Sequence, residues 1–396
     1  MFPSRRITSC SGDKFRDEYS LAFDGSDDHI KIPSIVDSVH DANFSYLFWA
    51  KRNVTDAIHN ILGDTASGTN YIRFSTTGLL SIETNSSGDQ ADGTLVSNDT
   101  GWHYYAVVIS GGNGTCQMYQ DGVALSMTNP DLEADLKYRR IGGQGSEGTS
   151  SSFNGNISEI AVYNIALTSS QVATIYNGRE PYNHKEGIAT SNLQAWWRMG
   201  DGGLDSLSVI GDEVNSTRQS NLLANPTFDT NYAGWESYTG TSENNVLSQE
   251  TTIVHSGGGS LKVVFCDDND QWAGRTTATL TAVANKVLLL EGWVYIPSGS
   301  YNGGDVDLTD GSGLTGASTE VKIKASASIT DTWQFMRTLA IPVSGDVSFQ
   351  MYLHISDTAP SENDILYYDD ISVRVINGNA GIMTNMSADD FVGDTP

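Results

Sequence analysis

Short runs in which apolar and polar residues alternate, each cut off by a cluster of Gly, Asn, Asp or Ser, recur along almost the whole of this chain. "NYIRFST", "LLSIETN", "WHYYAVVIS" and "SEIAVYN" carry the pattern in the first half, and "SLKVVF", "WVYIP", "STEVKIKA" and "VSFQMYLHI" carry it in the second. A period of two puts every second side chain on one face, so each run reads as a half-buried strand, and the closely spaced turn residues favour antiparallel neighbours. Helical spacing is confined to "LTSSQVATIYNG", residues 167–178, where Thr168 or Ser169 caps the start and Gly178 the end. The expected fold class is all-β, two consecutive antiparallel β-sandwich domains.

Length fits that reading, since 396 residues exceed what one small core organises. Residues 206–220, "SLSVIGDEVNSTRQS", hold no period and read as a linker, after which "NLLANPTF" begins a fresh strand pattern. The expected organisation is an N-terminal arm at 1–20, a first domain at 21–205, the linker, a second domain at 221–376, and a polar tail at 377–396. The tail reads as a solvated extension in preference to a docking strap.

A formal net charge of −26 would repel phosphate backbones and anionic membrane surfaces, which sets nucleic acid aside as a partner. Acid-rich surfaces concentrate hard divalent cations, so calcium is the metal to consider. Arg5, Arg6, Lys14 and Arg16 come without an apolar segment between them, so no secretory signal is expected, and no apolar run reaches the ~18 residues of a spanning helix. Three scattered cysteines, Cys10, Cys116 and Cys266, make no disulfide framework and fit folding in a reducing cytoplasm.

Residues 21 to about 201 resemble the laminin G-like, concanavalin A-like jelly-roll family. The likeness is carried by "LAFDGSDDHIKIPS", "FSYLFWAKR", "NDTGWHYYAVVISGGNGTCQMYQDGVAL", "RRIGGQG" and "FNGNISEIAVYNIALTSSQVATIYNG". It implies that "LQAWWRM" returns to close the sandwich beside residues 21–32. Within these words Gly25 permits a sharp turn, Asp28 accepts loop amides, Asp121-Gly122 makes a hairpin, and Trp102 and Tyr104 share a core-facing side. Glucanases of that superfamily use a Glu-x-Asp-x-x-Glu strand; the nearest acid here, Glu159, has no carboxylate two residues on, so hydrolysis is not expected.

Residues 221–376 resemble galactose-binding-like jelly rolls of carbohydrate-binding modules, through "NLLANPTFDTNYAGWE", "HSGGGSLKVVF", "LEGWVYIPSG", "DTWQFMRTLAIPVSGDVSFQMYL" and "ILYYDDISVRV". The resemblance implies a structural calcium held by Asp229 and Asp369. Strand phase supports Asp369, which shares a parity with Ile371, Val373 and Val375 and so points inward, leaving Asp370 in solvent. Sugar contact falls to loop aromatics, Trp272, Tyr238 and Tyr301, because the resemblance puts Trp235, Trp293 and Trp333 in the core. "DVDLTDG" is a poor EF-hand loop, since its twelfth position is Gly316, and "HSGGGSLK" lacks the ending of a phosphate loop.

Two jelly rolls with no catalytic constellation resemble virion proteins of marine bacteriophages. The expected function is non-enzymatic: a tail fibre or capsid-surface decoration that folds in the host cytoplasm and binds host or environmental glycans for attachment. Its expected partners are other virion proteins and further copies of itself, with no membrane insertion. The alternatives are a purely architectural virion subunit, or a secreted polysaccharide-active enzyme or its binding module.

Overall fold

The computed structural model describes residues 15–33, 42–65, 69–84, 88–111, 114–132, 135–145, 151–205, 208–237, 244–266, 271–309, 321–342 and 347–396. The chain is all-β with antiparallel sheets, and its contacts divide it into two compact units. One comprises residues 1–29, 35–214 and 385–396, and the other residues 30–34 and 215–384. No helix among the described residues is long and apolar enough to cross a membrane.

In the first unit one sheet runs Val123–Ala124, Thr115–Gln120, His103–Ser110, Phe44–Arg52, Asn154–Tyr163, Ser20–Asp24 and Phe391–Val392, and Leu193–Trp197 also pairs with Asn154–Tyr163. A second sheet carries Ser126–Thr128, Gln90–Thr94, Leu79–Glu83, Tyr71–Phe74, His59–Gly63 and Arg140–Ile141. Alternation sends Phe48 and Tyr105 to meet Phe74 of the second sheet, with ring centroids 6.4 Å and 4.9 Å away. The opposite face of the first sheet takes the helix Ser169–Tyr176 through Val172 and Ile175. Thr168 caps that helix in a reciprocal box with Gln171, and Asn177 ends it at φ 52°. Tyr104 packs in this second cluster under the helix, and Trp102 lies half-buried at its margin, so neither enters the layer between the sheets.

The sandwich closes differently from the expected way. Leu193–Trp197 does not pair with Ser20–Asp24; both occupy one edge of Asn154–Tyr163, with Trp197 opposite Ile160 and Leu21 opposite Ile157. Glu159 separates them at φ 52°, and the register against Phe44–Arg52 slips there, which marks a β-bulge. The remaining side of Ser20–Leu21 is taken by Phe391 and Val392 from the tail. Residues 391–392 are therefore a docked strand and no solvated extension, since an open edge of N–H and C=O groups is satisfied by whichever strand reaches it.

The second unit has a larger sheet of Val246–Glu250, Ser260–Val264, Ile365–Asn377, Val287–Tyr295, Trp333–Ala340 and Val321–Ile323, joined by Thr217–Arg218. A smaller sheet runs Trp235–Glu236, Trp272–Thr276, Tyr352–Ile355 and Val306–Thr309. Between them lies an apolar core that includes Phe228, Trp235, Leu261, Leu290, Leu353 and Tyr368.

Candidate functional site

The smaller sheet of the second unit presents its polar side outward. Ala273, Leu353 and Ile355 are fully buried in the core, so their neighbours Trp272, Arg275, Tyr352 and His354 emerge on the other face. Trp272 stands opposite His354 and Arg275 opposite Tyr352; the register slips between Trp272 and Gly274, and this bulge brings residues 272 and 275 to the same face despite their odd spacing. The Trp272 ring centroid lies 4.7 Å from that of His354, tilted, and 5.0 Å from that of Tyr352, edge-on, so the three rings form one ridge.

Charged groups fix both ends of that ridge. Arg275 donates from Nε to Glu236 at 2.8 Å and from a terminal nitrogen to the Tyr352 hydroxyl at 3.4 Å. At the other end His354 Nδ1 lies 3.1 Å from Asp307, which also accepts from Ser356 at 2.8 Å and faces Lys322 at 3.5 Å. Burial alone would push the Asp307 carboxyl up, but the hydrogen bond from His354 and the Lys322 charge outweigh it and hold the group below the usual carboxylate range. The face therefore joins an apolar ring edge to the His354 imidazole and a guanidinium donor, with the buried Asp307 carboxylate holding His354 from behind. Pyranose rings ask for that combination, an apolar C–H face bordered by hydroxyls that donate and accept.

Trp272 thus stands on a strand beside two rings, and not in a free loop. Tyr238 lies outside the described residues. Tyr301 packs against the core and donates its hydroxyl to the Gly304 carbonyl at 2.7 Å, which makes it a lid and no platform.

Asp229 and Asp369 do not form a cation cage. Asp369 is fully buried and accepts three backbone N–H groups, from His255 at 2.9 Å, Ser256 at 3.1 Å and Asp370 at 2.7 Å. Asp229, which is exposed, accepts from the Gly258 amide and from the Thr227 hydroxyl at 2.8 Å. Both carboxylates grip successive amides of one loop, 255–258. Converging N–H dipoles suit an anion and oppose a cation, so these residues as arranged do not fit calcium. The inward phase read for Asp369 also fails. It pairs with Trp293, on the side away from the core, and is buried by the loop it holds. Asp370, at φ 48°, flips the alternation, so Tyr368 and Ile371 both reach the core, and its own carboxylate binds His255 and Ser256.

Trp235 is in the core as expected, but Trp293 and Trp333 are not. Leu288, Leu290, Val294 and Ile296 take the inward positions of their strand, which leaves Trp293 outward, stacked on His255 at 4.1 Å. Trp333 stands outward too, donating its indole N–H to the Val254 carbonyl at 3.1 Å. Strict period-two counting from Leu288 would have found this; the family likeness concealed it.

In the first unit Glu159 is 1% exposed, bound to Trp196 Nε1 at 2.5 Å and Arg198 Nε at 3.1 Å. A carboxylate so enclosed faces no cleft. Asp24, Asp27 and Asp28 are the one group of acids among the described residues spaced so that all three could reach one metal ion; Asp24 accepts from Ser26 and Asp28 accepts from Asp24, so the turn uses them internally.

Residues 24–173 match the family model of the concanavalin A-like lectin/glucanases superfamily, so the first unit contains a concanavalin A-like jelly roll. No curated protein sequence matches the chain. Among solved structures, a carbohydrate-binding candidate from Bacteroides ovatus shares 17% identity over 52% of this chain, with a TM-score of 0.39; the chain spans 61% of that protein's length. The CBM22-1 xylan-binding domain of Paenibacillus barcinonensis Xyn10C shares 16% identity over 38% of this chain and 92% of its own, with a TM-score of 0.28. A heptameric SAP-like pentraxin from Limulus polyphemus shares 18% identity over 43% of this chain and 88% of its own, with a TM-score of 0.33.

Proposed function

We propose that the chain is a non-catalytic glycan-binding protein whose second unit holds saccharide on the outer face of its smaller sheet. The supporting observation is the Trp272 ring packed against both His354 and Tyr352, with Arg275 and Asp307 anchored at either end. Trp272 supplies the plate, Arg275 the donor and His354, held from behind by the buried Asp307, the hydroxyl contact. An open face of this kind binds weakly per copy, so we place the protein in a repeated assembly, a virion fibre or capsid decoration, where copy number raises avidity. That setting rests on the sequence resemblance to bacteriophage virion proteins.

A glycan array probed with the whole protein tests the binding role. Wild type retains some saccharides with or without EDTA, while Trp272→Ala loses about tenfold or more of that affinity, on the order of 1.4 kcal/mol. Binding equal in the two proteins overturns the assignment of this face, and uniform silence across the array overturns glycan binding itself.

A further inference from the structure

Residues 15–19 are held against the first unit by one guanidinium and a group of acids. Arg198 stacks on the Phe15 ring at 4.4 Å, and a terminal nitrogen donates to the Arg16 carbonyl at 2.5 Å. Phe15 also meets the Trp196 ring, with centroids 5.7 Å apart, and Asp201 accepts the amides of Glu18 and Tyr19. Asp17 accepts from the Ser158 hydroxyl at 3.0 Å through one oxygen, while the other, Oδ1, is buried with no donor to meet. Glu159 and Asp201 face it, and Arg198 lies between them, 3.1 Å from Glu159 and 4.0 Å from Asp201. Asp205 of the same turn is engaged by the amides of Gly200, Gly202 and Gly211, burial keeps His184 behind Trp196 neutral, and Arg16 and Glu18 are exposed. One guanidinium does not balance three carboxylates away from water, so the docked arm holds an extra proton. Asp17 Oδ1, set among acceptors, is satisfied as an O–H.

The arm ends where the tail strand pairs. Ser20, next after Tyr19, stands opposite Val392 and donates its hydroxyl to the Asp394 carbonyl at 2.5 Å. A Cβ on Gly200 would come within 2.7 Å of the Tyr19 Cβ and 2.9 Å of the Phe391 Cδ1, so both side chains rest on the bare glycine. The rest of the tail's hold is light: the Asp394 carboxylate takes Lys51 at 2.5 Å and the Trp102 indole N–H at 2.9 Å, with Lys51 and Asp394 both partly exposed. Seating of Tyr19 and Ser20 by the arm is therefore part of what positions the tail.

We propose that arm and tail form one clasp closed by a proton: with the proton in place, residues 15–19 seat the strand Phe391–Val392, and its loss to solvent releases both segments together. Opening bares the Ser20–Asp24 edge and uncovers Trp196, so the clasp withholds these surfaces in acid and presents them in alkali. The device is independent of the sheet face of the second unit.

The test follows hydrogen exchange in the full chain by NMR from pH 5 to 9, at the Glu18 and Tyr19 amides for the arm and at residues 391–393 and the Trp102 indole N–H for the tail. Protection corrected for intrinsic rates is expected to fall about tenfold or more at both places in wild type, and less at both in Asp17→Asn. Asp28 and His103, which lie near the tail, act alike in the two proteins and drop out of the comparison. Lys51→Ala, which removes a partly exposed contact of the tail, is expected to lower the protection of the arm together with that of the tail at pH 7, because coupling is reciprocal. Should Asp17→Asn not fold, Lys51→Ala decides alone. The proposal is overturned by an arm still fully protected at pH 9, by a tail that stays protected while the arm opens, by tail curves of equal slope in wild type and Asp17→Asn, or by an arm indifferent to Lys51→Ala.

Discussion

The carboxylate of Asp369 accepts the backbone N–H of His255 at 2.9 Å across 114 residues of chain, inside a site fully closed to solvent. With Ser256 and Asp370 also donating, the group completes a small anion nest, and burial shifts its pKa upward against those three bonds. Asp369→Asn turns one acceptor into an NH₂ that faces N–H groups. It should cost roughly 2–4 kcal/mol in chemical denaturation of the second unit, whereas Asp229→Ala, at an exposed position, should cost much less. Neither calcium nor EDTA should move that transition through this pair; a calcium-dependent midpoint lost in Asp369→Asn would show that the nest holds a cation after all.

The arm at residues 15–19 should loosen as pH rises. Asp17 sits among Ser158, Glu159, Asp201 and Arg198, and burial, then the Glu159 charge, push its carboxyl far above the usual range. A raised folded-state value means the folded form binds the extra proton, so docking stability declines as pH climbs above 3.8. Hydrogen exchange at the Glu18 and Tyr19 amides, which donate to Asp201 at 2.7 Å and 2.9 Å, reads this directly. Protection corrected for intrinsic rates should fall between pH 5 and 9 in wild type and fall less steeply in Asp17→Asn, where only the raised Glu159 carboxyl still titrates; parallel curves would refute it.

Acid should weaken the first unit by another route. His184 is buried against Trp196 and Tyr163, and burial, then the Arg198 charge, pull its pKa down to about 3 from 6.5. The unfolded chain then binds the proton first, so stability is whole above pH 6.5 and declines towards pH 3, by up to about 1.4 kcal/mol per pH unit. Thermal melts of His184→Gln should show a shallower acid slope than wild type, whatever its absolute stability.

Gly25 stands at φ 81°, and a Cβ there would come within 2.8 Å of the Asn154 Cβ. Gly25→Ala should therefore lower stability by roughly 1–3 kcal/mol. An unchanged unfolding midpoint would mean that the turn relaxes freely.

Turn chemistry and alternation were the legible parts of this molecule. A cap at Thr168 or Ser169, the Asp121-Gly122 turn and the Asp28 loop contact could all be placed from local rules, because each is settled within a few residues. Strand phase was legible only until a bulge. Trp272 with Arg275, Glu159 and Asp370 each sit where one extra residue resets which side chains face inward, and nothing local announces that reset. Trp272 was singled out by its residue type, while its neighbours Tyr352, His354 and Arg275 were not, because they converge through pairing between strands far apart in sequence. The anion role of Asp369 was hidden for the same reason, since two of its three donors, His255 and Ser256, lie over a hundred residues away.

Phe391 completes the ladder on Leu21, and the whole second unit is encoded between them. A ribosome making this chain releases every residue of the later unit before the earlier one can obtain its final strand. Closing so long a loop is slow to find by diffusion yet adds little entropy once the intervening segment is itself compact. The unit begun first is thus the one finished last, and a nascent chain stalled before residue 391 would expose the Ser20–Asp24 edge to any other strand in reach.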